Sequence, residues 1–151
     1  MNEVKTDESF MREALLEAKS AAKSNEVPVG AVVVGDKKIL GRAHNSTIYL
    51  NDPTAHAEIL AIRAACRIKN NYRIPGCDLY VTLEPCVMCM GAILQARIRR
   101  LVFGTYDPKT GAVISMIKFP FDRMNHALEI EAGILSEECG KILKDFFAER
   151  R

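Results

Sequence analysis

Four residues of this chain combine side-chain types that bind a metal ion and move protons. His56 and Glu58 are separated by one residue, and Cys86 and Cys89 follow later in a Pro-Cys-x-x-Cys sequence. One imidazole and two thiolates are zinc ligands, and a catalytic zinc keeps three protein ligands so that its fourth position can hold water. Glu58 is suited to exchanging protons with that water. The pattern therefore predicts a hydrolytic zinc site with Glu58 as its acid and base.

The cysteine pair taken alone has two other interpretations, a redox-active dithiol and half of a structural zinc site. A structural site closes all four positions with protein ligands, but the other cysteines and histidines show no second metal-binding spacing. These are Cys66, Cys77, Cys139, His44 and His126. A redox pair would leave His56 and Glu58 without a role. Because disulfides are rare in cytosolic proteins, the remaining cysteines are expected to be small buried residues.

Helix starts are predicted to bring the ligands together. Asp52 is expected to cap a helix with Pro53 in its first turn, and this helix would carry His56. Pro85 is expected to open the helix of the two cysteines, whose i and i+3 positions face one side. Residues i and i+2 of a regular helix point about 200° apart. His56 and Glu58 therefore converge only if His56 sits in the first turn and the glutamate arm reaches across.

The complete pattern, His-x-Glu followed by Pro-Cys-x-x-Cys, is the known signature of zinc-dependent nucleobase deaminases, in which the glutamate is not a ligand. Two thiolates and a neutral imidazole cancel the charge of Zn²⁺, so its water loses a proton less readily and a nearby base is needed. We expect Glu58 to take that proton while the hydroxide attacks the amino-bearing carbon. Glu58 would then protonate the ring nitrogen and the leaving amine, and ammonia would depart.

Hydrophobic periodicity predicts alternating helices and strands around these residues. The predicted helices span residues 7–25, 53–71, 85–96 and, with Ser136 as cap, 136–151. The predicted strands span residues 29–34, 38–44, 79–83, 101–104 and 128–132, and turn-forming residues place loops at 45–52 and 107–111. Such alternation implies an α/β sheet with helices on both faces.

Length and composition bound the class of protein. The 151 residues predict one domain spanning 1–151, with 48% hydrophobic and 26% charged residues as in ordinary globular proteins. Apolar runs stay short of the roughly 20 residues of a membrane span, and the polar N-terminus is unlike a signal peptide. We therefore expect a cytoplasmic protein without a membrane partner. The net charge of +2 permits a nucleic-acid partner without requiring one.

Motifs beyond the metal ligands give the chain a close resemblance to the bacterial tRNA-specific adenosine deaminases of the cytidine/deoxycytidylate deaminase superfamily. They include Val-Pro-Val-Gly-Ala at 27–31, Asn-Asp-Pro-Thr-Ala-His-Ala-Glu at 51–58 and Leu-Tyr-Val-Thr-Leu-Glu-Pro-Cys-Val-Met-Cys at 79–89. The similarity continues at residues 102–104, 109–112, 124–126, 133–135, 138–139 and 146–147. His44 and residues 114–121 depart from the family pattern.

The resemblance implies a cytidine-deaminase-like three-layer α/β/α sandwich whose five-stranded mixed sheet is flanked by helices. It implies one zinc ion per subunit and a homodimer with active sites near the subunit interface. The implied reaction converts adenosine to inosine at the wobble position of a tRNA anticodon stem-loop, whose target base enters the pocket. Matching positions imply substrate-binding roles for Asn45, Asp107, Phe147 and Arg150.

Two other functions remain open from the sequence. A deaminase of free guanine, cytosine or their nucleosides would share the metal ligands and the segment at 51–58, and ammonia release from those compounds would identify it. A non-catalytic RNA-binding or zinc-structural subunit would retain zinc without turnover. The presence of Glu58 favours catalysis.

Overall fold

Five strands form one mixed sheet in this computed structural model, which describes residues 6–150. The strands are β1 (Gly30–Gly35), β2 (Lys38–His44), β3 (Asp78–Leu83), β4 (Arg100–Thr105) and β5 (Glu129–Ala132), in the order β2-β1-β3-β4-β5. β1 pairs antiparallel with β2 and β3, whereas β3, β4 and β5 run parallel. Residues 1–5, which belong to the polar N-terminus, and residue 151, the end of the predicted last helix, lie outside the described residues.

Helices cover both faces of the sheet, which confirms the predicted three-layer α/β/α sandwich. The helices are α1 (Asp7–Lys23), α2 (Ala57–Lys69), α3 (Val87–Gln95) and α4 (Ser136–Ala148), and a short 3₁₀ turn spans Phe121–Arg123. α1 and α4 pack on one face, and α2 and α3 pack on the other. No helix among residues 6–150 is long and apolar enough to cross a membrane.

The two-residue period of β1 explains how one strand serves both layers. Ala31 and Val33 point into the core shared with α2 and α3, while Val32 and Val34 point into the core shared with α1 and α4. All four side chains are buried. A strand covered on both faces reads as a continuous apolar run, as this one does.

The strand directions collect several loop segments at one edge of the sheet. Leu83 of β3 pairs with Thr105 of β4, so the carboxyl ends of both parallel strands meet there. β1 runs antiparallel to β3, and its first residue, Gly30, pairs with His44 at the end of β2. The segments that follow β2, β3 and β4 therefore leave the sheet side by side. These segments contain the predicted site residues Asn45, Cys86 and Asp107.

Two predicted helices begin two to four residues later than expected, and two predicted caps are wrong. The Asp52 carboxylate accepts the backbone N–H and the hydroxyl of Thr54 (2.9 and 2.7 Å), so it forms a local turn instead of a cap. α2 begins only at Ala57, after Pro53. Likewise Pro85 precedes a helix that begins at Val87. Ser136 is the first helical residue of α4 and makes no cap, because the preceding residue adopts a left-handed conformation.

Candidate active site

The three predicted ligands converge on one point. Nδ1 of His56 lies 3.6 Å from Sγ of Cys86 and 3.6 Å from Sγ of Cys89. All three donor atoms lie within 4.8 Å of one another. Ligand atoms about 2.2 Å from a tetrahedral centre are roughly 3.6 Å apart, which is the spacing that Zn–N and Zn–S bonds require. The donor set and its spacing therefore fit a zinc ion.

Each helix presents one ligand from its N-cap position, and α3 presents the second cysteine, Cys89, from its first turn. His56 (φ −74°, ψ 152°) and Cys86 (φ −79°, ψ 176°) have extended backbones, and neither side chain caps its own helix. Their carbonyl groups accept the first helical bonds, from Leu60 and Met90. Because His56 is not yet helical, the 200° separation from Glu58 does not apply. The N-terminal dipoles of α2 and α3 favour negative charge at this point.

The two thiols have opposite tendencies in the metal-free chain. The hydrogen bond from Cys89 lowers the pKa of Cys86 to about 4, with His56 acting in the same direction. The Cys89 thiol donates its proton to Cys86, and this hydrogen bond raises the pKa of Cys89. Burial raises it further. Metal binding requires both thiols to be deprotonated. A cation at this point would replace the proton that the pair otherwise shares.

Glu58 lies buried beside the three ligands, with 4% of its surface exposed. Burial raises its pKa to about 7, while His56 and the Cys89 side chain act in the opposite direction. A carboxyl group with a pKa near neutrality can both accept and donate a proton, which is the property of a general acid and base. The role of Glu58 as acid and base stays a prediction.

Asn45 fastens the loop after β2 to the start of α2. Its Oδ1 accepts the backbone N–H of Ala57 at 2.8 Å, and so satisfies a helix donor that the N-cap His56 leaves unpaired. The amide oxygen is thereby directed inward, and the amide NH₂ remains as a donor. The preceding residue, His44, is held by Glu17 (Nδ1 to Oε1, 3.0 Å).

Two buried glutamates organise the loops around the ligands, and sequence reasoning gave neither of them a role. Glu26 accepts the backbone N–H groups of Ile48 (3.2 Å) and Tyr49 (2.8 Å). Glu84 accepts bonds from the loop after β4, including that of Asp107. Burial alone would raise the pKa of Glu84, but these bonds lower it. The only sequence signal for a role was that Glu84 directly precedes the Pro-Cys-x-x-Cys motif. Its burial could not be expected, because glutamate is usually exposed.

The other predicted substrate residues lie away from the three ligands. Asp107 and Phe147 line one cavity of about 730 Å³ between the loop after β4 and helix α4. Arg150 lies beyond the end of α4, with its guanidinium 3.5 Å from the centroid of the Phe146 ring and 2.8 Å from Oδ1 of Asn25. The structure therefore brings Asp107 and Phe147 together, while Arg150 joins the ends of α4 and α1.

Comparison with known proteins places the whole chain among deaminases. A family model of MafB19-like deaminases matches residues 5–151. The tRNA-specific adenosine deaminase of Haemophilus influenzae is 52% identical over 147 residues, covering 96% of this chain and 85% of that protein. The Agrobacterium fabrum protein of the same name is 51% identical over 144 residues, covering 94% of each. A solved structure from a study of A-to-I editing by tRNA:A34 deaminases superposes with a TM-score of 0.85 at 51% identity, covering 89% of this chain and 98% of that one.

Proposed function

Because this chain belongs to the MafB19-like deaminases and, within them, to the tRNA-specific adenosine deaminases, we propose that it converts adenosine to inosine at the wobble position of a tRNA anticodon. The observation that carries the proposal is the convergence of His56, Cys86 and Cys89 with a buried carboxyl group beside them. Such an arrangement suits hydrolysis of an amidine carbon–nitrogen bond, in which water replaces an amino group.

His56, Cys86 and Cys89 are the residues that would hold zinc, one ion per chain. When bound, the ion would supply a Lewis acid that makes water a stronger nucleophile at neutral pH. Nδ1 of His56 faces the two sulfur atoms, so in a zinc-loaded site the imidazole would carry its proton on Nε2.

Glu58 is the proposed proton carrier. Its carboxylate accepts a proton from the attacking water and delivers it to the ring nitrogen beside the amino-bearing carbon. Glu58 then takes the proton of the hydroxyl that was added to the carbon and passes it to the amine, which leaves as ammonia while the carbonyl of inosine forms. A pKa of about 7 suits a group that must both take up and release a proton.

The substrate-binding roles follow from chemistry and position. The Asn45 amide NH₂, free once its oxygen bonds Ala57, is available to donate to the nucleoside. Asp107 and Phe147 lie at the edge of the sheet where β3 delivers Cys86, so a single-stranded loop entering the site can reach them. Arg150 would contribute positive charge from the end of α4.

The assembly and location belong to the same proposal. We propose a homodimer, because apolar side chains in the loop after β2 and next to Cys86 are exposed in the single chain: Ile48, Tyr49 and Val87 are 69%, 80% and 53% exposed. A tRNA substrate would place the enzyme in the cytoplasm, as the sequence analysis expected.

The test is inosine formation in an anticodon stem-loop with adenosine at the wobble position, with free adenosine, guanine and cytosine in parallel reactions. We expect inosine at that position and no ammonia from the free compounds. Ammonia from a free base with an unchanged stem-loop would contradict the tRNA substrate and leave a free-base deaminase. A zinc-loaded chain that converts none of them would contradict catalysis itself.

A further inference from the structure

Glu84 is a buried carboxylate that the proposed chemistry does not use. It lies two residues before the ligand Cys86, and only 2% of its surface is exposed. A buried carboxylate is unfavourable unless donors surround it. Its partners therefore indicate what it does.

Those partners all come from the loop that follows β4. Oε1 accepts the backbone N–H of Asp107 (3.1 Å) and the hydroxyl of Ser115. Oε2 accepts three successive backbone N–H groups, from Val113 (3.1 Å), Ile114 (2.8 Å) and Ser115 (3.0 Å). One carboxylate thus joins the beginning of the loop, near Asp107, to its far end.

The backbone at Glu84 and Pro85 is bound to the end of β4 and to the loop that follows it. The Glu84 N–H donates to Thr105 O at 2.9 Å, and the Pro85 carbonyl accepts the N–H of Ala112 at 2.8 Å. Gly111 packs directly on the carboxylate, since a Cβ there would lie 2.5 Å from Cδ of Glu84. The segment that delivers Cys86 and the loop that carries Asp107 are therefore one connected unit.

We propose that Glu84 is a positioning residue that sets where the loop of Asp107 lies relative to the metal ligands, so that RNA held by this loop places its target base at the reacting atoms. The inference rests on the proposed function. The carboxylate does not touch the substrate. It acts through Asp107 and through residues 113–115, which it holds in one conformation.

Replacing Glu84 by glutamine tests this with almost no change in size. The amide oxygen can replace Oε2 and keep the three bonds from residues 113–115. The amide NH₂ must then face the Asp107 N–H, and two donors cannot bond each other. The Glu84→Gln variant should therefore keep residues 113–115 in place and release Asp107. A second variant, Gly111→Ala, keeps the carboxylate but would place a Cβ 2.5 Å from both Cδ of Glu84 and the carbonyl oxygen of Asp107, so it disturbs the packing between these two residues.

The measurement is steady-state kinetics on the anticodon stem-loop, with zinc content determined on the same samples. We expect either variant to keep one zinc per chain and to raise KM about tenfold, the effect of losing one hydrogen bond to a charged group, with kcat within about threefold. A role only in stability would instead lower the active fraction, which reduces the apparent kcat and leaves KM unchanged. Glu129→Gln, on the exposed side of β5, is the matched control and should behave as wild type.

Each outcome decides the inference. An unchanged KM in both zinc-loaded variants overturns it, while an active wild type leaves the proposed function intact. If Glu84→Gln loses zinc, Gly111→Ala decides: a raised KM supports positioning, and lost zinc or an unchanged KM overturns it. A wild-type chain that yields no inosine from any stem-loop overturns the proposed function, and this inference with it.

Discussion

Two buried glutamates at this site differ in the donors around them, and that difference gives them opposite chemistry. Glu58 is buried without enough hydrogen-bond donors to compensate, so its pKa rises to about 7 and it can exchange a proton near neutral pH. Glu84 is equally buried, but four backbone N–H groups and a hydroxyl surround it. Its pKa falls despite burial, so it remains a fixed anion. The first can act in catalysis and the second in positioning.

Removing the carboxyl group of Glu58 should abolish turnover and leave metal binding intact. We expect Glu58→Ala to keep one zinc per chain and to lose activity by about four orders of magnitude, because a general acid and base is removed. Metal analysis beside the stem-loop assay measures both quantities. Glu58→Gln, which keeps the shape without the acid, is the control and should be equally inactive. An active Glu58→Ala enzyme would contradict the mechanism.

Removing one ligand thiol should abolish metal binding as well as turnover. We expect Cys86→Ala to lose the bound zinc and, with it, activity and part of the thermal stability, because two protein ligands do not hold zinc in this geometry. Zinc content and melting temperature measure the change. Cys66→Ser is the matched control, since Cys66 lies outside the three converging ligands and should keep its zinc. Full zinc occupancy in Cys86→Ala would show that the ligand set is wrong.

At the scale of elements, close packing of helices on the sheet determines where the ligands stand. β2 presses against α2 at Gly41, where a Cβ would lie 2.3 Å from the carbonyl oxygen of Ala61. α2 carries His56 at its N-cap and Glu58 in its first turn. The separation of β2 from α2 therefore affects the site directly.

A methyl group at Gly41 should force the two elements apart. We expect Gly41→Ala to lower the free energy of unfolding by about 1–3 kcal/mol, the usual penalty for overpacking. Gly140→Ala is the matched control: its Cβ would meet only Thr105 Oγ1 at 3.6 Å, and alanine in a helix interior should stabilise by about 0.8–1.0 kcal/mol. Urea unfolding of both variants measures these differences. Equal stability of the two would contradict the contact between β2 and α2.

The start of α1 is fastened to the sheet by charge. Arg100 donates to both carboxylate oxygens of Asp7 (2.7 and 2.6 Å), and Tyr80 donates to one of them (2.6 Å). The Arg100 bonds hold the pKa of Asp7 below its ordinary value. A carboxyl whose pKa is lower in the folded state stabilises fully above its unfolded pKa, and the effect is lost as pH falls through the native pKa.

The destabilisation caused by Arg100→Met should therefore depend on pH. We expect the difference from wild type to be full at neutral pH and to shrink below about pH 4, where Asp7 of the unfolded chain begins to be protonated. Urea unfolding at a series of pH values, on both proteins, gives the comparison. Arg12→Met removes an exposed pair with Glu8 and should cost little at any pH. A difference that persists unchanged at pH 2 would contradict the role of Asp7.

At the scale of the whole molecule, the exposed apolar side chains include Ile48, Tyr49 and Leu50 in the loop after β2 and Val87 at the start of α3. Tyr49 is 80% exposed, and Val87, directly after the ligand Cys86, is 53% exposed. Such groups around a polar catalytic centre are typical of a surface that a partner covers. The proposed homodimer would supply such a partner.

The chain should therefore sediment as a dimer of twice 16.8 kDa at micromolar concentration. Tyr49→Arg should shift the equilibrium toward the monomer, because a desolvated charge opposes association. Leu16→Arg, a substitution of an exposed apolar residue on α1, is the control and should leave the dimer intact. A wild-type mass of 16.8 kDa at all concentrations would contradict the homodimer.

The grouping of His56, Cys86 and Cys89 could be predicted from the sequence because metal-binding chemistry depends on residue type and short spacing. The strands and helices could be predicted for a similar reason, since hydrophobic periodicity is local. Even the i, i+2 conflict between His56 and Glu58 was visible in advance. The backbone resolves this conflict, because α2 starts at Ala57, four residues later than predicted, and His56 is therefore an N-cap residue with an extended conformation.

Only the tertiary structure decided what depends on partners distant along the chain. Asn45 supplies the bond that starts α2, a contact across twelve residues, so the local capping rule failed at Asp52. Glu84 accepts hydrogen bonds from residues 23 to 31 positions further along the chain, and no spacing pattern in the sequence predicts these partners. Arg150, which was predicted to bind the substrate, donates a hydrogen bond to Asn25, 125 residues away in the sequence. Donors and acceptors pair by proximity in space, and proximity is set by the order of the strands, which local sequence does not encode.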